Sequence, residues 1–166
     1  MPKLVLLGGP TGVGKSTVMR LLENRIPHAA LLDADDVWRV SKELTVEKNR
    51  HIALSNVVSV MRGYFEGGCA TGILSWVFAR SALYGPVITG LEDIVDSVDQ
   101  IYLTSTMAEI KRRLHKRGDE DRYEYSKTRL ALIDSLPFTK IDTTQMTPGM
   151  VATAIMDHIG SAENSK

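Results

Sequence analysis

The sequence predicts an α/β fold, a three-layer α/β/α sandwich on a five-stranded parallel sheet, and two observations carry that prediction. Short apolar runs alternate with stretches of helical periodicity along nearly the whole chain, the pattern of a parallel sheet covered on both faces. The first of these runs, Leu4–Leu7, leads straight into Gly9-Pro-Thr-Gly-Val-Gly-Lys-Ser-Thr17 and then into an amphipathic helix. That nonapeptide is a complete G-x-x-x-x-G-K-[ST] phosphate-binding loop, set between strand and helix as the geometry requires.

The remaining strands are expected at Ala29–Asp33, Gly72–Val77, Gln100–Thr104 and Thr139–Asp142. A helix from Lys15 to Asn24 buries Val18, Leu21 and Leu22. A long helix over Val46–Glu66 carries Leu54, Val58, Met61 and Phe65 at core spacing, with Asn49, Arg50, Asn56 and Arg62 on its other face. A further helix begins near Val37, with Asp35 or Asp36 as its cap. Thr106-x-x-Glu109 is a capping box that opens a helix ending at Arg117. Another helix starts near Arg122. Thr147 caps the last one, with Pro148 at its first position, and it runs to about Ile159 before a frayed tail at 161–166.

Each part of the phosphate loop has a chemical task. Gly9, Gly12 and Gly14 let the backbone turn its N–H groups inward where a Cβ would obstruct them. With Thr11, Val13 and Thr17 they form the nucleotide-binding cradle. Lys15 brings a positive charge to the β- and γ-phosphates, Ser16 offers a hydroxyl to Mg²⁺, and the following helix aims its positive end at the same anion.

The second strand ends in Leu31-Leu-Asp33-Ala-Asp35-Asp36. Ligands of open α/β sheets bind beyond the carboxyl ends of the strands, and Asp33 and Asp35 alternate, so their carboxylates project to one side of an extended segment. One carboxylate can hold a Mg²⁺-bound water while the other accepts a proton from a substrate hydroxyl. The third strand ends in Ser75 and Trp76, without the acidic residue of a motor-type ATPase. Downstream, Lys111-Arg-Arg113-Leu-His-Lys-Arg117-Gly118 places Arg113 and Arg117 on one helix face, and an acidic run leads on to Arg122. One such guanidinium can lie flat on an adenine, and another can neutralise a transferring phosphoryl group.

The loop, the D-x-D after strand two and the R-x-x-x-R helix leading into a short lid resemble small-molecule kinases of the shikimate and gluconate kinase type. These belong to the nucleoside-monophosphate-kinase-like group of P-loop proteins, whose outline some antibiotic-resistance phosphotransferases share. Ile141-Asp-Thr-Thr144-Gln-Met-Thr-Pro148 is similar to the group's closing strand and loop beside the adenine. The resemblance implies nucleotide contacts from Arg113 and Thr144, Mg²⁺ placement by Ser16 and Asp33, and Asp35 as base or acceptor-hydroxyl ligand. It also implies that Arg117 and Arg122 close over the phosphates. Lys15, Asp35, Arg117 and Arg122 are then the catalytic set, with a lid at 117–124 and an acceptor-binding helical region at 37–66. The glycine-rich turn that follows the third strand of shikimate kinases is replaced here by Ser75-Trp-Val-Phe-Ala-Arg80, so the acceptor is not expected to be shikimate.

Composition bounds the rest. The 166 residues suit one domain, and 20 basic against 20 acidic residues leave no charge signature for nucleic acid or membrane. One cysteine, Cys69, and no signal segment point to the cytoplasm. Asp35, Arg39 and Arg80 follow strand ends and are candidates for the acceptor, as are Trp38 and Trp76; arginines and tryptophans together suit a molecule with an anionic group and a ring face. The leading expectation is an ATP- and Mg²⁺-dependent phosphotransferase acting on a small-molecule hydroxyl, as a monomer or homodimer. A nucleoside or nucleoside-monophosphate kinase and a nucleotide-binding regulatory ATPase with little turnover are the alternatives.

Overall fold

A computed structural model describes residues 2–40 and 43–161. Five parallel strands, β1 (Lys3–Gly8), β2 (Ala29–Asp33), β3 (Thr71–Ser75), β4 (Ser97–Thr104) and β5 (Thr139–Asp142), lie in the order β2-β3-β1-β4-β5. Six helices accompany them: α1 (Lys15–Glu23), α2 (Val46–Glu66), α3 (Ser81–Thr89), α4 (Met107–Arg117), α5 (Tyr123–Leu130) and α6 (Pro148–Ser161). The expected fold class is the observed one.

Alternation along the strands divides the core. Val5, Leu7, Ile73, Ile101 and Leu103 face one layer, where α1 and α6 pack through Val18, Met19, Leu22, Val151 and Ile155. Leu4, Leu6, Leu32, Leu74 and Tyr102 face the other, against Ala53, Val57, Met61 and Phe65 of α2 and Val87 of α3. Because β1 pairs with β3 on one side and β4 on the other, the chain leaves β1 and β3 in different directions. A crevice opens at their carboxyl ends, the place where open α/β sheets bind ligands.

Several elements differ from expectation for local reasons. The buried stripe of α2 runs Ala53-Val57-Met61-Phe65: Met61 and Phe65 lie in the core as expected, while Leu54 and Val58 pack on its flank, partly buried. No helix starts near Val37. Residues Ala34–Val37 form a 3-10 turn, and its cap is Asp33, not Asp35 or Asp36. Strand β3 stops at Ser75, short of Val77. Helix α3 was not expected; it contains Gly85 and Pro86, both poor helix formers.

The capping box at α4 is half made. The Glu109 N–H donates to Thr106 Oγ1 at 3.3 Å, but the Glu109 carboxylate turns to Arg112 and Arg113, and the Thr106 N–H donates to Thr144 Oγ1 at 3.0 Å instead. Residues 41–42 of the expected 37–66 region, and 162–166 of the expected tail, lie outside the described residues. Within that region, 46–66 is helical and 38–40 is not.

Candidate active site

The phosphate loop leaves β1 and enters α1 through Gly14, which sits in the left-handed region at φ 108° as the helix cap. Gly12 is also left-handed, at φ 86°, and a Cβ there would come within 3.0 Å of the Leu114 side chain. Helix α4 is therefore seated directly on the loop. Helix α5 touches it as well, since the Ser126 hydroxyl donates to the Thr11 carbonyl at 2.9 Å. The Lys15 ammonium bridges the loop from within, donating to the carbonyls of Gly9 at 2.7 Å and Pro10 at 3.2 Å.

Asp33 meets the loop from the end of β2. Its Oδ1 accepts the Asp35 N–H at 3.2 Å, and its Oδ2 accepts the Ser16 hydroxyl at 3.5 Å. The two carboxylates converge through this turn rather than through strand alternation. Burial pushes the Asp33 carboxyl above the usual carboxylate range, and the neighbouring Asp35 and Asp36 charges push the same way against the Asp35 N–H and Lys15. Burial pushes Lys15 down to about 8, opposed by Asp33 and Asp35 and reinforced by Arg117. Among the described residues no group of three or more His, Cys, Asp or Glu side chains is placed to hold a metal ion. Ser16 and Asp33 are instead a pair of hard oxygen donors, the set that suits Mg²⁺ when phosphate oxygens and water complete its shell.

Two clefts flank the loop. The larger, about 900 Å³, lies between the loop, α4 and the turn before α6, and its walls include Gly12, Val13, Arg113, Thr144 and Pro148. The smaller, about 170 Å³, is lined by Lys15, Ser16, Asp33, Asp35, Trp76 and Val77 among others. Gly12, Gly14, Thr17 and Arg117 line both. The structure thus brings Lys15, Ser16, Asp33, Asp35 and Arg117 together at one place, with Arg113 and Thr144 in the adjoining cleft. Arg39, Arg80 and Arg122 are exposed and line neither cleft. Arg117 pairs with Asp119 at 2.9 Å, and Arg122 lies 3.7 Å from Asp121. The 117–124 segment consists of the left-handed cap Gly118, a 3-10 turn over Glu120–Arg122 and the start of α5.

Three features of the site escaped sequence reasoning. Thr143 is buried and joins β4, β5 and Arg113 through its hydroxyl. Ser126 reaches the loop from a helix whose sequence gives no sign of it. Trp76, in the wall of the smaller cleft, meets Trp38 behind it edge to face, with ring centroids 5.8 Å apart.

No family model matches the chain, and no curated protein matches its sequence. Solved structures do. A tunicamycin resistance protein from Deinococcus radiodurans superposes with a TM-score of 0.70 at 18% identity over 96% of both chains. A gluconokinase from Sinorhizobium meliloti gives 0.71 at 12% identity over 99% of this chain and 98% of its own. A sugar kinase from Janibacter sp. gives 0.69 at 18% identity over 95% of this chain and 94% of its own. The fold is that of P-loop kinases of the gluconate and shikimate kinase type. Among the described residues no helix is long and apolar enough to cross a membrane.

Proposed function

We propose that the chain is a cytoplasmic phosphotransferase that moves the γ-phosphoryl group of ATP to a hydroxyl of a small molecule. The observation that supports this most directly is one small cleft in which a phosphate loop, its lysine and serine, two aspartates and an arginine converge. A protein that only binds nucleotide has no use for a second carboxylate beside the phosphates. The kinase fold of the structural neighbours agrees with the reading.

In this reading the nucleotide base and ribose occupy the larger cleft. The in-plane donors of Arg113 are engaged by Glu109, Val13 and Thr143, so its flat face is what it offers the base. The loop N–H groups and Lys15 hold the β- and γ-phosphates. Ser16 and Asp33 hold Mg²⁺, which when bound supplies charge neutralisation to the phosphate oxygens.

Asp35 accepts the proton of the acceptor hydroxyl as its oxygen bonds to the γ-phosphorus. The bond from that phosphorus to the β-phosphate oxygen breaks, and ADP leaves. Arg117, which lines both clefts, exchanges Asp119 for the transferring group and stabilises its charge, with Arg122 following as the 117–124 segment closes. Arg39 and Arg80 have no place in this scheme unless the loops that carry them move inward.

ADP release measured across a panel of metabolite alcohols, nucleosides and antibiotics tests the reading. At least one acceptor should raise ADP formation well above the acceptor-free rate. Asp35→Asn should cut that rate by about a hundredfold or more while ATP binding persists. Full acceptor-dependent transfer by Asp35→Asn would overturn the assignment of the base.

A further inference from the structure

Ser126 is 0% exposed and is the only residue of α5 that is buried. A serine or threonine inside a helix often turns its hydroxyl back onto that helix, as Thr128 does by donating to the Glu124 carbonyl at 2.9 Å. Ser126 instead donates to the Thr11 carbonyl at 2.9 Å, 115 residues away in the chain. Among the described residues no other group donates to that carbonyl.

The Thr11 carbonyl shares its peptide plane with the Gly12 N–H. No described peptide bond is cis, so the two groups point in opposite directions from that plane. Helix α5, which receives the carbonyl, lines neither cleft, whereas Gly12 lines both and Thr11 the smaller one. The Gly12 N–H has no acceptor among the described residues, so it stands as an open donor on the cleft side of the loop. Arg113 does the same one peptide plane further on, holding the Val13 carbonyl at 3.0 Å while the Gly14 N–H forms the opposite edge.

Nothing local replaces Ser126 in this task. Gly12, at φ 86°, has no Cβ to resist rotation of the peptide before it. With no donor on the Thr11 carbonyl, that peptide can turn and present its oxygen to the phosphates in place of its N–H.

We infer that Ser126 is a positioning residue for the phosphoryl groups, acting through the Thr11–Gly12 peptide; this rests on the nucleotide site of the phosphotransferase reading. The hydroxyl fixes the carbonyl edge, and the N–H edge is thereby aimed at the anion. A donor set in place beforehand stabilises phosphate charge without reorganising, whereas a carbonyl oxygen there repels it. The effect belongs to the phosphates, because α5 does not reach the cleft assigned to the base.

Wild type, Ser126→Ala and Ser126→Cys are titrated calorimetrically with adenosine and with Mg²⁺-ADP, below the melting temperature of each and with no acceptor present. Both variants should bind Mg²⁺-ADP about tenfold more weakly, the loss of a hydrogen bond to a charged group, and adenosine within about twofold of wild type. Cysteine keeps the shape of serine but donates weakly, so Ser126→Cys separates the hydrogen bond from the packing. With glycine ¹⁵N labelling, the Gly12 amide proton should move downfield on saturation with Mg²⁺-ADP in wild type and much less in Ser126→Ala.

Mg²⁺-ADP affinity unchanged in Ser126→Ala would overturn the inference. So would equal losses for adenosine and Mg²⁺-ADP, which would mark Ser126 as a prop for the fold, and so would wild-type affinity in Ser126→Cys, which would assign the effect to packing. A Gly12 amide that responds alike in wild type and Ser126→Ala would overturn it too. None of these measurements uses turnover. ADP formation that no acceptor accelerates would therefore refute the phosphotransferase reading and leave the role of Ser126 standing, while a wild type that binds Mg²⁺-ADP no more tightly than adenosine would refute both.

Discussion

The Arg113 guanidinium donates to the Val13 carbonyl at 3.0 Å, tying the middle of α4 to the phosphate loop across 100 residues of sequence. The same side chain donates to the Thr143 hydroxyl at 3.0 Å and the Thr143 carbonyl at 2.9 Å, and its Nε donates to Glu109 at 2.7 Å. Loop, helix and the turn after β5 therefore share one planar fork. Arg112 and then Arg113 hold the Glu109 carboxyl down to about 2, so the anchor stays ionised through the physiological range.

Arg113→Lys keeps the charge and loses the fork. It strips the Val13 carbonyl of its short bond, leaving only the Thr143 hydroxyl at 3.5 Å, and the Thr143 carbonyl of its Arg113 donor, at about 1–3 kcal/mol for a buried polar group. Calorimetric titration with an ATP analogue should show roughly tenfold weaker binding, with acceptor KM unchanged. Equal nucleotide affinity in the variant would mean that the loop holds its shape without this tie.

The Lys15 ammonium predicts how nucleotide binding depends on pH. Burial sets the free protein's value at about 8, and bound phosphates raise it by favouring the charged form. Below pH 8 both states carry the proton and affinity is flat. Above it, only the complex keeps the proton, so the Kd for ATP should rise by roughly tenfold per pH unit. The terminal phosphate is fully ionised there and adds no slope of its own. Lys15→Arg, charged throughout, should remove the slope, even if it binds more weakly at every pH.

The phosphate loop was legible in the sequence because its backbone demands left-handed residues at fixed positions, and only glycine fills Gly12 and Gly14 without strain. The strands were legible because a sheet covered on both faces leaves continuous apolar runs. What was not legible depends on distant partners. On α2 the periodicity found Met61 and Phe65, but the places beside them went to Ala53 and Val57, with Leu54 and Val58 on the flank, a fact of packing and not of periodicity. Helix α3 hid behind Gly85 and Pro86. Arg113 was singled out for the adenine, but its tie to the loop was hidden, since Thr143 and Val13, which fix its direction, lie far away in the chain. The arginines at 39 and 80 followed strand ends, yet their side chains face solvent.

Gly12→Ala tests the seat of α4 on the loop. The added Cβ would stand 3.0 Å from Leu114, a fully buried residue, in a conformation at φ 86° that L side chains rarely adopt. Overpacking and backbone strain each cost about 1–3 kcal/mol. Thermal unfolding should fall by several degrees, at roughly 2–4 °C per kcal/mol for a chain of this size. Gly12→Ala combined with Leu114→Ala should lose less than the sum of the two single losses, because the truncated side chain opens room for the methyl group, a coupling that independent sites would not show.

Asp33→Asn separates function from stability. The Asp33 carboxyl is raised above its ordinary value by burial first, with the Asp35 and Asp36 charges adding to it. A carboxyl raised in the folded state costs stability once the pH climbs past its unfolded value, and the cost is complete above its folded value. The amide carries no charge, and its oxygen can still accept the Asp35 N–H that Asp33 Oδ1 now holds at 3.2 Å. The nucleotide-free variant should therefore melt slightly above the wild type at pH 7, by on the order of 1–2 °C once solvent screening is allowed for. That gain should disappear near pH 3, where the wild-type carboxyl is protonated as well. Added Mg²⁺ with an ATP analogue should reverse the ranking at pH 7, stabilising the wild type and not the variant. A variant that Mg²⁺ and nucleotide stabilise as fully as the wild type would remove Asp33 from the metal site, whatever its effect on the free protein.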